Sequence, residues 1–262
     1  MAPLANARIP YTSCPLCEGT SWSVARVASC AGHALYHPGI PTEMRWLRCG
    51  TCCHLFTDGY FSPEAYELIF SRSNTDQQVA ADFERQRDIS ARIIEKVLPY
   101  AKDGAWLDVG FGNASLLFTA EEYGFTAVGV DLRARNVSDL QACGFEAHAV
   151  PVESLDMPAR FSVVSMCDVL EHMAFPKAAL TAAHKLLRTG GVLLLSMPNL
   201  DATVWKLTDA AQQNPYWGEL EHHHNFGRRR LTAVLSELGF EVLRYAVSVR
   251  YRIGMELFAQ RV

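Results

Sequence analysis

Residues 105–117, AWLDVGFGNASLL, restrict the fold of this chain more than any other stretch. An apolar strand ends in Asp108 and runs straight into a turn carrying Gly110 and Gly112, and that turn opens a helix. Glycine in such a turn takes up left-handed backbone angles and lets the main chain approach a ligand, while the first amides of the helix lack partners within it. A second apolar strand, 125–130, is closed by Asp131. From that place a carboxylate holds a ribose diol in nucleotide-binding βαβ units.

The pattern continues in alternation. Helical periodicity over 134–143 is followed by a short strand at 147–150, a buried apolar strand at 161–167, a helix over 177–187, the turn Thr189-Gly190-Gly191 and a buried strand at 192–197. Helix 231–238 precedes two strands, 240–249 and 255–261, able to pair as a hairpin at a sheet edge. This spacing predicts a parallel sheet wound with helices on both faces. Upstream, Ser62 and Pro63 mark a capped helix start, 71–78 is polar, and 82–98 is helical with Ile89, Ile93, Ile94 and Val97 on one side.

Several stretches resemble class I S-adenosylmethionine (SAM) methyltransferases of the type 11/12/23 kind. Asp108-Val-Gly-Phe-Gly resembles their first motif, Phe161-Ser-Val-Val through Leu170-Glu-His172 their fourth-strand motif, and Leu186-Leu-Arg-Thr-Gly-Gly191 the turn before the fifth strand. The resemblance implies a Rossmann-like α/β fold, a seven-stranded sheet with its last strand antiparallel, over 105–262. It also implies a SAM seat built from Asp108, Gly110, Gly112, Asn113, Asp131, Leu132, Val152, Glu153, Cys167 and Asp168. Two letters depart from the family pattern: Ser162 replaces an aspartate, and Val152-Glu153 stands where relatives carry an aspartate for the adenine amino group. The loop has Ser115 where a dinucleotide site carries its third Gly or Ala, and SAM's cationic groups suit an acidic strand end.

Four of the eight cysteines form two CxxC knuckles, Cys14–Cys17 and Cys49–Cys52. Two knuckles that meet supply the tetrahedral sulfur set that zinc prefers, and a closed four-thiolate site leaves no open position for chemistry. A structural zinc ribbon over residues 1–60 is expected, with strand-prone pieces at 22–27 and 44–47. Cys30, His33, His37, Cys53 and His54 are alternative ligands. Residues 61–104 then read as a helical connector or cap.

Between the fifth strand and the last helix lies Glu219-Leu-Glu-His-His-His-Asn-Phe226, in the region that caps the substrate in folds of this kind. A neutral imidazole accepts a proton from an alcohol within hydrogen-bond reach, which makes His222 the first candidate for a general base and His224 the second. Trp205, Tyr216 and Trp217 are stacking candidates, and Arg228-Arg-Arg230 is the one short basic cluster.

A net charge of −4 gives no electrostatic case for nucleic acid, and no apolar run reaches membrane length, so a cytoplasmic enzyme without a membrane partner is expected. The expected reaction is methyl transfer to a hydroxyl or carboxylate of a small molecule or glycan sugar. One alternative is a methyltransferase for RNA or protein with a Mg²⁺ or Mn²⁺ site at Asp168, Glu171 and His172, completed by one later histidine and resembling that of the small-RNA 2′-O-methyltransferases. The other is a non-catalytic SAM-fold scaffold.

Overall fold

The structure, a computed structural model, describes residues 4, 6–70, 77–251 and 253–262, so that part of the polar stretch 71–78 lies outside the described residues. The chain divides into two compact units. One comprises Met1–Ser73, Glu171–Lys177 and Asn199–Leu231; the other comprises Asn74–Leu170, Ala178–Pro198 and Thr232–Val262.

The first unit begins with β1 (Arg8–Pro10), β2 (Trp22–Ser29), β3 (Glu43–Cys49), β4 (Leu55–Thr57), β5 (Gly59–Phe61) and α1 (Pro63–Phe70). The strands foreseen at 22–27 and 44–47 are β2 and β3, paired antiparallel. Ser62 Oγ accepts from the Ala65 amide at 3.3 Å, the N-cap that its place before Pro63 foretells.

The second unit holds α2 (Phe83–Val97), β6 (Gly104–Val109), α3 (Ser115–Glu122), β7 (Phe125–Val130), α4 (Ala134–Ala142), β8 (Glu146–His148), β9 (Phe161–Cys167), most of α5 (Pro176–Leu186) and β10 (Leu187–Pro198). The chain then returns to the first unit through α6 (Thr203–Ala210) and β11 (His224–Asn225), and re-enters the second through α7 (Arg228–Glu237), β12 (Phe240–Val247) and β13 (Gly254–Arg261).

The seven-stranded sheet runs β12-β13-β10-β9-β6-β7-β8. β13 is antiparallel to both neighbours, while β10, β9, β6, β7 and β8 are parallel. This is the expected Rossmann-like sheet with its last strand antiparallel. The hairpin at 240–261 is also present, with β13 between β12 and β10, so that β12 forms the edge. Trp106, fully buried, meets Phe125 edge-on at 5.0 Å. Ile93, Ile94 and Val97 of α2 join the same core as Trp106, Leu116 and Val163, so the apolar face read at 82–98 is a core face of the sheet unit.

A four-stranded sheet, β11-β4-β3-β2, belongs to the first unit. β11 pairs antiparallel with β4, His224 opposite Phe56 and Asn225 opposite Leu55. Trp46 donates its indole N–H to the Trp217 carbonyl at 2.9 Å. β11 is therefore part of the N-terminal sheet, and Trp217 is tied to it.

Candidate functional site

In the sheet unit most of the expected cofactor residues lie at the C-terminal ends of the adjacent strands β9, β6 and β7, where ligands bind in open α/β folds, while Val152 and Glu153 follow β8. Gly110 and Gly112 have φ of 66° and 55°, and Ala114 takes 62°, a left-handed angle on a residue with a side chain. A Cβ on Gly110 would lie 2.7 Å from a Val169 methyl carbon, so glycine is required there. Asn113 accepts from the Ser115 amide at 3.1 Å and donates to the Ala81 carbonyl at 2.8 Å, tying the loop to the segment before α2.

Asp108 is held from below by a short relay. The Trp106 indole N–H donates to Ser165 Oγ at 2.8 Å, and the Ser165 hydroxyl donates to Asp108 Oδ1 at 2.6 Å. Burial raises the Asp108 carboxyl to about 7, with Asp131 pushing the same way and Ser165 and Arg250 opposing. Asp131, 6% exposed, is gripped by Arg133. Asp168 has φ of 58° and is ion-paired with Arg250, Nε to Oδ2, at 2.9 Å. Val152 is buried at the start of a short 3-10 turn, whereas Glu153 and Leu132 are exposed and Cys167 is half-buried. Arg133, Ser165 and Arg250 were not singled out in the sequence. The Asp-x-Arg spacing at 131–133 was a usable signal for Arg133; nothing local marks Arg250 as the partner of Asp168.

In the first unit, one sulfur from each of Cys14, Cys17, Cys49 and Cys52 lies within 4.8 Å of the others. Cys14 and Cys52 are 3.8 Å apart and Cys17 and Cys49 are 3.5 Å apart. Sulfurs at the corners of a tetrahedron with ~2.3 Å zinc–sulfur bonds stand about 3.8 Å apart, so the donor set fits zinc. The Thr51 and Cys52 amides also donate to Cys49 Sγ, at 3.4 and 3.5 Å, as expected of a knuckle built to carry thiolate charge.

The three consecutive histidines have separate surroundings. His224 is fully buried and both its ring nitrogens are engaged: Nε2–H donates to the Met173 carbonyl at 2.9 Å, leaving Nδ1 to accept from His54 Nε2–H at 3.1 Å. Burial takes its pKa down to about 3. His223 packs on the Phe61 ring at 5.0 Å. His222, 6% exposed, stands edge-on to His172 at 4.7 Å and is stacked on Tyr216 at 6.1 Å, with Trp205 stacked behind Tyr216 at 5.2 Å. Its Nδ1 is buried without a hydrogen-bond partner, and burial together with the neighbouring His172 and His33 holds its pKa well below the ordinary value.

One donor atom each from Glu171, His172 and His222 also converge within 4.8 Å, and so do those of His33, Glu219 and Glu221. Asp168, expected beside Glu171 and His172 in the metal alternative, is instead engaged by Arg250; His222 is the third member of that group. Trp205 and Trp217 are 2% and 6% exposed, hence packing residues, and Arg228 and Arg229 are exposed on the first turn of α7.

A family model described as a methyltransferase domain matches residues 82–245. Among curated relatives, a ubiquinone biosynthesis O-methyltransferase of Cereibacter sphaeroides is 32% identical over 131 residues, 47% of this chain and 49% of the relative. One of Idiomarina loihiensis is 31% identical over 116 residues, 41% of this chain and 48% of the relative. The chain thus spans about half the length of the curated relatives it matches. Of solved structures, the Burkholderia thailandensis 1,6-didemethyltoxoflavin-N1-methyltransferase, with S-adenosylhomocysteine bound, aligns at TM-score 0.57 and 20% identity, covering 80% of this chain and 96% of that one. The magnesium protoporphyrin IX methyltransferase of Synechocystis, with the same product, aligns at 0.54 and 16%, covering 68% and 84%. At such identities the likeness is one of fold. Among the described residues no helix is long and apolar enough to cross a membrane.

Proposed function

The chain belongs to the methyltransferase-domain family, and from that premise we propose that it is a SAM-dependent enzyme that methylates an oxygen, a hydroxyl or carboxylate, of a small molecule or sugar, with His222 as general base. SAM, when bound, supplies a methyl already activated by the sulfonium, so the protein must align the acceptor, take its proton and exclude water. Asp131 would hold the ribose diol and Asp108 the cationic end, with Gly110 and Gly112 allowing close approach and the backbone at Val152 and Glu153 reading adenine.

The observation that carries the reading is the state of His222. It is an imidazole kept neutral by burial, with Nδ1 free of any partner, beside the aromatic faces of Tyr216 and His172. His224 has no nitrogen left to accept a proton and takes a structural role. Cys14, Cys17, Cys49 and Cys52 would hold a structural zinc in the ribbon of residues 1–60. Oxygen as the acceptor follows the curated relatives, whose names specify O-methylation.

His222→Ala should lower kcat by ~10²–10⁴-fold, the contribution of a positioned general base, while SAM affinity stays unchanged. Wild-type turnover in that variant would overturn the assignment.

A further inference from the structure

We propose that Tyr11, His54 and His224 are positioning residues for methyl transfer: they fix the turn of residues 171–174, and through it the place of His172 against His222. The turn follows β9 and Asp168 in the chain, and Leu170–His172 form no more than one 3-10 turn, too short to satisfy its own main-chain groups. Each of the four residues is instead held from outside. The Glu171 carbonyl accepts from the His223 amide at 2.8 Å. His172 Nδ1–H donates to the Glu221 carbonyl at 3.1 Å, because a carbonyl oxygen can only accept. The Met173 carbonyl accepts from His224 Nε2–H at 2.9 Å, and the Ala174 carbonyl from the Tyr11 hydroxyl at 2.8 Å. Bonds on both sides of His172 leave its backbone little freedom, and its ring meets His222 edge-on at 4.7 Å.

The partners of Met173 and Ala174 are anchored beside the cysteine knuckles. His224 Nδ1 accepts from His54 Nε2–H at 3.1 Å. The His54 carbonyl accepts from the Cys49 amide at 3.0 Å, and the His54 amide donates to the Cys52 sulfur. Tyr11 stands three residues before Cys14, with its ring edge-on to Phe56 at 5.7 Å. A line of hydrogen bonds thus runs from the second knuckle through two imidazoles to Met173. His54 and His224 are 2% and 0% exposed, and an apolar pair of the same size would avoid the cost of burying them. Buried polar networks of this kind fix one geometry where apolar packing tolerates several.

The catalytic consequence rests on the reading of His222 as the base. A base works only when its lone pair is aligned with the acceptor proton, and a misplacement of ~1 Å costs about 10²-fold. Tyr11, His54 and His224 touch no reacting atom in this scheme; they act through the main chain of the turn.

The test is kinetic and spectroscopic, on the whole chain with its thiolate metal in place. Tyr11→Phe removes one hydroxyl, and His224→Phe removes both ring hydrogen bonds while keeping a ring. Each should lower kcat by ~10–10²-fold, measured with the acceptor used for His222→Ala, at unchanged SAM affinity and zinc content. Long-range proton–nitrogen NMR spectra should show the His172 and His222 imidazole signals displaced in both. His224→Gln should recover much of the rate, since its amide N–H can still reach the Met173 carbonyl. A loss of rate found only where zinc or SAM binding is also lost would make these residues merely structural and overturn the proposal. Unmoved imidazole signals would overturn it too, as would wild-type kcat in both variants when His222→Ala is impaired. If His222→Ala is itself fully active while the imidazole signals of both variants move, the base reading fails and the hold on the turn stands.

Discussion

The guanidinium of Arg133 closes back on the carboxylate of Asp131, Nε to Oδ1 at 2.9 Å and Nη2 to Oδ2 at 2.7 Å. The Arg133 amide donates to the same Oδ1 at 2.9 Å, and Nη1 reaches Gln77 Oε1 at 2.7 Å. A carboxylate offers about four lone-pair sites, so three are already in use and a ribose diol, which needs two, must displace part of the arginine fork.

Arg133→Ala should therefore tighten SAM binding by about two- to fivefold, matching the ~0.5–1 kcal/mol of a partly exposed ion pair. Calorimetry reads the sign directly: weaker binding would mean that Arg133 orients the carboxylate for the ribose instead of shielding it. Asp131→Ala should weaken binding by the ~1.5–3 kcal/mol of a charged hydrogen bond.

With Asp108 at the cationic end of SAM, as proposed, cofactor affinity should depend on pH. The Asp108 carboxyl is raised to about 7 by burial, so it is largely protonated at pH 6 in the unliganded protein. A cation beside it favours the ionised form, and binding must then release a proton. SAM affinity should rise from pH 6 to pH 8, and the heat of binding should vary with the ionisation enthalpy of the buffer; a flat profile would remove Asp108 from contact with the cationic end. Stability of the unliganded protein runs the other way. The native carboxyl holds its proton more tightly than the unfolded one near 3.9, so this contribution is full below that value and fades as pH rises through about 7. Asp108→Asn should flatten both dependences.

For the thiolate cluster, elemental analysis should find about one tightly held zinc per chain. Cys14→Ser or Cys49→Ser should lose it together with the order of β2, β3 and β4, because so small a sheet folds on its metal. Full zinc retention in both variants would dissolve the ribbon assignment.

Dialysis against EDTA should leave turnover intact, since the thiolate ion is enclosed and no weakly held cation takes part in the reaction. Loss of activity restored by Mg²⁺ or Mn²⁺ would instead make a cation essential.

In the sheet unit, Glu256 is fully buried, and it is met by Lys96 Nζ at 2.5 Å and by the Val249 amide at 3.0 Å. Lys96→Met should destabilise the protein by ~3–5 kcal/mol, the effect of leaving one member of a buried pair uncompensated. Pairing it with Glu256→Leu should recover much of the loss in urea unfolding. An effect of the single change within ~0.5 kcal/mol would show that water reaches the carboxylate.

What was legible in the sequence was what local spacing encodes. Strands β6, β7 and β9, the turn at Gly110 and the two CxxC knuckles each carry their signal within a few residues, through apolar runs, obligatory glycines and paired thiols. α2 shows its apolar face in its own periodicity, but not which core receives it. The two residues of β11 are too few to carry any period, and only β4 makes them a strand. His222, His223 and His224 are identical letters in a row, and their different fates depend on His172, Phe61 and His54, none of which is a sequence neighbour. Asp168 was read with Glu171 and His172 because they are three and four residues away, yet its charge is met by Arg250 from the far end of the chain.

The pairing of β4 with β11 also bears on how the chain emerges from the ribosome. His54 and His224, which share a hydrogen bond beside that pairing, are 170 residues apart. During synthesis β2, β3 and β4 emerge together and can already close around their thiolates, yet β4 remains an open edge until residues 224–225 have been made. For that interval an unpaired row of amides and carbonyls is exposed to other nascent chains. The short length of β4, three residues, limits what can dock there until the histidine strand arrives to fill it.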